Sequence, residues 1–322
     1  MRFMLPLAAL LLMAAPALAE DPKAAAPKAE TPEAGPELRF AWPTPSRVTV
    51  TERILKKGKS SVVRYDATLS ARKGGGYALK LDKFQFVEME GRDVTKGQLP
   101  PELKAATALA GAIPTLVISA QGQAEDVVGM EEAVERALTM VPNEKGMREQ
   151  VRAMLSQPAM VQAMKQRAAD FWSAWVGAWV GTDLNAGEER KGTVPMQLPS
   201  GAVDSMVTMH HRGLDAGHKG AVRLEMETVL EGEPFRKAMV GMISQMMQAA
   251  APQGSAPDIE TMLKSARRVS NVEVVTDPAT LRPYSARMSQ VTKIQMANQE
   301  REEREEHEYS FAWPARKAGK RR

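Results

Sequence analysis

The 322-residue chain contains no cysteine. That excludes disulfides, a thiolate nucleophile, Fe–S clusters, Cys-based zinc sites and the cysteine-linked lipid anchor of bacterial lipoproteins. Histidine is nearly as scarce, with four copies, and aromatic residues make up 5% of the chain. There is no G-x-S-x-G nucleophile elbow and no H-E-x-x-H metal helix. Gly58-Lys59-Ser60 resembles the end of a phosphate-binding loop, but Arg53 stands where the earlier glycine belongs, and the flanking residues read as a hairpin. Gly74, Gly75 and Gly76 lack dinucleotide-binding spacing. Carboxylates are numerous, but no pair stands in an apolar setting that would tune it for acid–base work. No catalytic residue is assigned, and the expectation is a protein that is not an enzyme.

What is present is a globular composition, 43% hydrophobic and 25% charged, with a net charge of +4. Residues 1–19 read as a secretory signal: Arg2, then an apolar run from Leu5 to Ala15, then Ala17-Leu18-Ala19 as a cleavage site. The run is shorter than the ~20 residues that span a bilayer. A periplasmic or secreted protein that is not transmembrane after signal cleavage is expected. Residues 20–36, rich in Pro, Ala and charge, read as a linker. A single domain is expected over 37–315, followed by a basic tail, 316–322, with Arg316, Lys317, Lys320, Arg321 and Arg322. The tail reads as a solvated end, with contact to an anionic surface as the alternative. Export argues against a nucleic-acid partner.

From Leu38 the apolar period is two. Leu38, Phe40 and Trp42 alternate, as do Val48 and Val50, then Val63, Tyr65, Ala67 and Leu69, with a break at Lys57-Gly58 and another at Gly74–Gly76. Tyr77, Leu79 and Leu81 follow, then Phe84 and Phe86. This predicts an antiparallel meander. Pro100-Pro101 closes it, and a short strand follows Pro114. The period then becomes helical over Glu131–Val141 and Lys145–Ser156, with Pro142-Asn143 between, and from Pro158 to about Val180, stopping at Gly181. Strands return at Val203–His211 and Ala221–Leu230. Pro234 opens a Met-rich helix to about Ala250, Ala251–Pro257 is a loop, and Asp258 caps a helix expected to reach about Arg268. Val269–Val275 and Tyr284–Met296 are strands about an Asp277-Pro278 turn. Residues 299–308 read as a charged helix or a wet strand, with strand favoured at the end. Phe40-Ala41-Trp42-Pro43 echoes Phe311-Ala312-Trp313-Pro314, which predicts two equivalent edge strands bracketing the sheet.

Two side-chain clusters attract a functional reading. Trp172, Trp175 and Trp179 form one stripe at i, i+3 and i+7, on a helix apolar nearly all round. It is either a core helix or the wall of an apolar cavity. Met239, Met242, Met246 and Met247 share a helix, and Met206, Met209 and His210 lie on a strand. Thioethers suit Cu(I), but methionine at helical spacing more often fills a core. His210 and His211 point to opposite faces of a strand, so no metal site is assigned.

The stretch Val274-Val275-Thr276-Asp277-Pro278-Ala279-Thr280-Leu281-Arg282-Pro283-Tyr284 resembles the strand, tight turn and strand that precede the last β arms of LolA-like periplasmic carriers. Leu116–Gly129 and Tyr309-Ser310-Phe311 resemble other strands of that superfamily. The resemblance implies an α+β fold, a curved antiparallel sheet forming an incomplete barrel with helices on its concave face. It implies carriage of a lipid or an acylated protein. The site expected on that basis is a hydrophobic pocket lined by Trp172, Trp175, Trp179, Met239, Met242, Met246, Phe84 and Phe86, acting by apolar contact without a cofactor. The alternatives are an envelope interaction module with a filled core and a Met-rich copper-handling protein.

Overall fold

The computed structural model describes residues 38–96, 112–140, 146–198, 201–250, 258–297 and 299–314. The expected signal segment, the linker, the closing Pro100-Pro101, the Pro142-Asn143 break, the 251–257 loop and the basic tail lie outside the described residues.

The described chain is a large open antiparallel sheet with few helices. Its strands are β1 (Ser46–Lys56), β2 (Lys59–Ala71), β3 (Tyr77–Met89), β4 (Arg92–Asp93), β5 (Thr115–Ile118), β6 (Ala124–Val128), β7 (Glu189–Leu198), β8 (Gly201–Leu214), β9 (Val222–Leu230), β10 (Leu263–Thr276), β11 (Pro283–Met296) and β12 (Glu300–Ala312). The order is β6-β5-β3-β2-β1-β12-β11-β10-β9-β8-β7, with β4 on β3 alone. Three helices separate β6 from β7: α1 (Met130–Met140), α2 (Met147–Leu155) and α3 (Pro158–Trp172). Between β9 and β10 lie α4 (Gly232–Ala250) and the single turn α5 (Ile259–Met262).

Hairpins drive this topology. Lys57 and Gly58 both have positive φ, 51° and 74°, the two-residue turn whose twist matches that of the flanking strands. Glu90 and Gly91 repeat the device, at 48° and 78°. In β3 the buried positions change parity between Leu81 and Phe84. Lys83 sits there at φ 59°, and the β2–β3 register shifts between Arg64 and Asp66. The extra residue returns Phe84 to the inner face, where it stacks on Tyr65 at 4.6 Å.

Several sequence expectations need correction. The two Phe-Ala-Trp-Pro copies are not edge strands. β12 pairs with β1 on one side and β11 on the other, so the last strand lies in the middle of the sheet. The first copy belongs to no strand. Leu38–Trp42 runs extended but is held by single bonds, Leu38 N–H to Thr182 O, Gly181 N–H to Leu38 O and Ala41 N–H to Thr280 O. Its alternation survives because Leu38, Phe40 and Trp42 all turn into the core. The real edge at one end, β7, was missed. Its sequence, Glu189-Arg190-Lys191-Gly192-Thr193-Val194-Pro195, carries the charges, glycine and proline that blunt an edge strand and hide it from a pattern search. The helix capped by Asp258 ends at Met262. Leu263–Arg268 is strand, because its backbone is claimed by β11 and, from Arg268, by β9. Residues 300–312 are strand throughout, paired on both sides.

One face of this sheet is covered. Register fixes which: Val48, Val50 and Glu52 of β1, His307, Tyr309 and Phe311 of β12, Ala286 and Met288 of β11, and Arg268, Val272 and Val274 of β10 share a side. The chief apolar cluster on it joins Leu38, Phe40 and Trp42 to these strands and to the Trp172–Trp179 segment. A second lies under α4, with Leu230, Phe235, Met239, Leu263 and Ala266. A third, small one joins α1 to α2 and α3 through Ala133, Ala137, Leu155 and Met164.

Candidate functional site

The tryptophan stripe is built by a change of helical pitch. α3 ends at Trp172 and passes into a π-helical turn, Ser173–Gly177, before Gly181 stops it at φ 76°. The wider turn brings Trp172, Trp175 and Trp179 to full burial, with no exposed surface. Trp172 packs edge-on against Phe40 and Trp42 at 5.3 and 5.2 Å, and Trp175 against Phe311 and Tyr309 at 5.0 and 5.5 Å. Each such pair adds about 1 kcal/mol beyond its burial. The Trp172 indole N–H donates to Gly122 O at 2.6 Å and that of Trp179 to Ala174 O at 3.1 Å. The N–H of Trp175 has no hydrogen-bond partner among the described residues. These side chains plug the core.

The expected pocket residues are not brought to one place. Trp172, Trp175 and Trp179 belong to the chief cluster, with Phe84 and Phe86 half-buried at its flank. Met239 is buried and Met242 half-buried in the second cluster, under α4. The side chain of Met246 lies outside the described residues. The copper set does not converge either: Met206 is 56% exposed on the outer face, while Met209 is buried on the inner one. His211 is buried and His210 faces Glu189 across the outer side. No group of three or more His, Asp or Glu suited to a metal occurs among the described residues.

Sequence reasoning missed a buried polar belt between the two large apolar clusters. Its first part crosses β1 and β12. His307 Nδ1 lies 2.7 Å from Glu52 Oε1 and its Nε2 lies 3.1 Å from Glu305 Oε1. Tyr309 donates to Glu52 at 3.2 Å, and Lys56 Nζ reaches Glu305 at 2.5 Å. Burial alone would lower the His307 pKa, but its hydrogen bonds to Glu305 and Glu52 prevail and hold it up at about 9. Glu305 is drawn below the usual carboxylate range despite its burial, by His307 and Lys56. The signal was in the sequence: Glu52 keeps the parity of Val48 and Val50, and His307 that of Tyr309 and Phe311.

The belt continues through Thr292, Arg268, Ser270 and Thr228, which share the inner face of β11, β10 and β9. Arg268 is 3% exposed, and its guanidinium lies over the Phe235 ring with Cζ 5.4 Å from the centroid. Its Nε and Nη1 have no hydrogen-bond partner among the described residues, and burial pulls its pKa down to about 10.

Two surface grooves lie elsewhere. One, about 450 Å³, is lined by Leu55, Lys57, Arg301, Glu302, Glu303, Arg304 and Glu306, and the other, about 340 Å³, lies along the outer side of β8–β11. Both are lined largely by charged and polar side chains. No helix among the described residues is long and apolar enough to cross a membrane.

No protein-family model matches the chain, and no curated protein matches it. Among solved structures it is similar to one titled for lipid–protein interactions in lipovitellin, with a TM-score of 0.37 and 9% identity. The match covers 84% of this chain and 25% of that one, so the chain spans about a quarter of its length. No LolA-like family is shown by these comparisons, and at that TM-score the likeness establishes no shared fold.

Proposed function

We propose that the protein is an exported, non-catalytic binding protein that holds an apolar ligand of acyl-chain chemistry against the inner face of its sheet. In this reading the sheet is a curved, incomplete barrel of LolA-like build, with the helices on its concave side. The observation that carries the proposal is the half-covered apolar layer of α4. Met242, Ile243 and Val240 on the helix, and Leu198, Ile294 and Met296 on the strands, are only partly buried against the second cluster. Unbranched thioether side chains there can repack around a chain of variable shape. The tryptophan plug is the rigid floor of the fold rather than the ligand wall, since its rings already fill their space.

The test is native mass spectrometry of the purified protein with its co-purifying lipid, followed by methionine-methyl NMR during titration with an acyl chain. A stoichiometric adduct with shifts at Met239 and Met242 is the expected result. No adduct and no shift with any chain would overturn it. That outcome would favour an interaction module with a filled core, the reading that the complete burial of Trp172, Trp175 and Trp179 supports.

A further inference from the structure

Arg268 presents an electrostatic problem that the described residues do not solve. An arginine stays protonated at any pH the protein meets, and a buried charge in a folded protein is paired or coordinated. Among the described residues no carboxylate pairs with Arg268, and burial is the one influence on its ionisation. The acids nearby are already engaged. Glu303, opposite Thr292 in the same cross-strand row, pairs with Lys57 and Arg301. Glu231 holds Arg267, which points to the other face, and Glu233 holds Arg236. The Phe235 ring offsets part of the cost, but a π face cannot accept the two unused N–H groups in their own plane.

The surroundings are amphiphilic in a directional way. On the side of the chief cluster Arg268 is flanked by hydroxyl residues: Ser270 next on its face, Thr228 opposite Ser270, and Thr292 directly opposite Arg268 itself. On the other side the apolar layer under α4 begins at once, with Phe235, Ala266, Leu263 and Met239, then Ile294 and Met296. A guanidinium with hydroxyls on one side and an apolar layer on the other is suited to the head of an amphiphile whose tail lies along that layer.

We infer that Arg268 is a ligand-binding residue that pairs with an oxyanion headgroup, so that the ligand is an acyl chain ending in a carboxylate or a phosphate. This rests on the apolar-ligand reading above and narrows its ligand class. The guanidinium fork receives the two oxygens, and the headgroup takes the place the missing protein carboxylate would occupy.

The experiment compares palmitate, hexadecanol and a C16 lysophosphatidylglycerol on the full chain by calorimetry and native mass spectrometry. Palmitate is expected to bind at least about tenfold tighter than hexadecanol, the difference of one charge-assisted pair. R268M should bring palmitate to the affinity of hexadecanol and leave hexadecanol unchanged, whereas R268K should keep part of the preference. Lysophosphatidylglycerol binding tighter than palmitate would assign the oxyanion as phosphate, and the reverse as carboxylate. Equal affinity of the unmodified protein for palmitate and hexadecanol would overturn the headgroup assignment while leaving the apolar site standing. Binding of none of the three would overturn the apolar site itself. Should R268M fail to fold, the three-ligand comparison on the unmodified protein and R268K still decides.

Discussion

Raising the pH from 6.5 to 9.5 is expected to remove about 3 kcal/mol of stability through one side chain. His307 is buried between Glu52 and Glu305, with Lys56 on the far side of Glu305, Tyr309 on Glu52 and the apolar Met288 opposite on β11. Its pKa stands at about 9 in the fold, against an ordinary 6.5. At about 1.4 kcal/mol for each pH unit, that difference is worth about 3 kcal/mol. Below pH 6.5 folded and unfolded chains both carry the proton, and the stabilisation is complete. Between 6.5 and 9 the unfolded chain has lost its proton while the fold retains it, so unfolding releases one and stability falls as pH rises. Above 9 the contribution is gone. Glu305 acts at the other limit: its lowered pKa adds stability that disappears as the solution is acidified through it. Denaturant titrations of the unmodified protein and of H307Q at intervals from pH 6 to 9.5 measure the effect. The unmodified protein should show the decline. H307Q should lose about 3 kcal/mol at pH 6, because it removes the cation between two buried carboxylates and leaves Glu305 only Lys56 and Glu52 only the Tyr309 hydroxyl, and should be nearly flat through the same range. Parallel curves for the two proteins between pH 6.5 and 9 would refute the assignment.

Three further outcomes follow from single contacts. W172F and W175F both trim a ring from a filled core, but W172F also strands Gly122 O and should be about 1–3 kcal/mol more destabilising than W175F, whose N–H has no hydrogen-bond partner among the described residues, as thermal unfolding of both would show. G122A should destabilise by more than about 2 kcal/mol, since the glycine holds φ 100° and an added Cβ would stand 2.4 Å from Phe40 Cβ, and a Tm within 2 °C (roughly the error of such a scan) would contradict the packing described. D258A deletes the side-chain acceptor for Thr261 N–H and should cost about 1 kcal/mol in denaturant unfolding, with loss of the α5 turn in amide exchange.

Local chemistry was legible in the residues themselves. The hairpin turn at Lys57-Gly58, the parity change between Leu81 and Phe84, the proline start of α3 and the Asp258 cap all follow from preferences acting within a few positions. The period-two runs of β1, β2, β8 and β9 were equally plain, because one buried face forces the alternation. Pairing between distant segments was not legible. Nothing within Glu300–Ala312 says that it will zip onto Ser46–Lys56, so the matching Phe-Ala-Trp-Pro motifs suggested edges where the fold has its middle. Leu263–Arg268 has a sequence that suits either a helix or a strand, and only the ladders of β9 and β11 decide for strand. The candidate site divides the same way. Spacing alone placed Trp172, Trp175 and Trp179 on one buried stripe. That Glu52 meets His307 across 255 residues, and that Arg268 meets no acid among the described residues, is a property of strand register, which a chain acquires only when remote strands bury their apolar faces together.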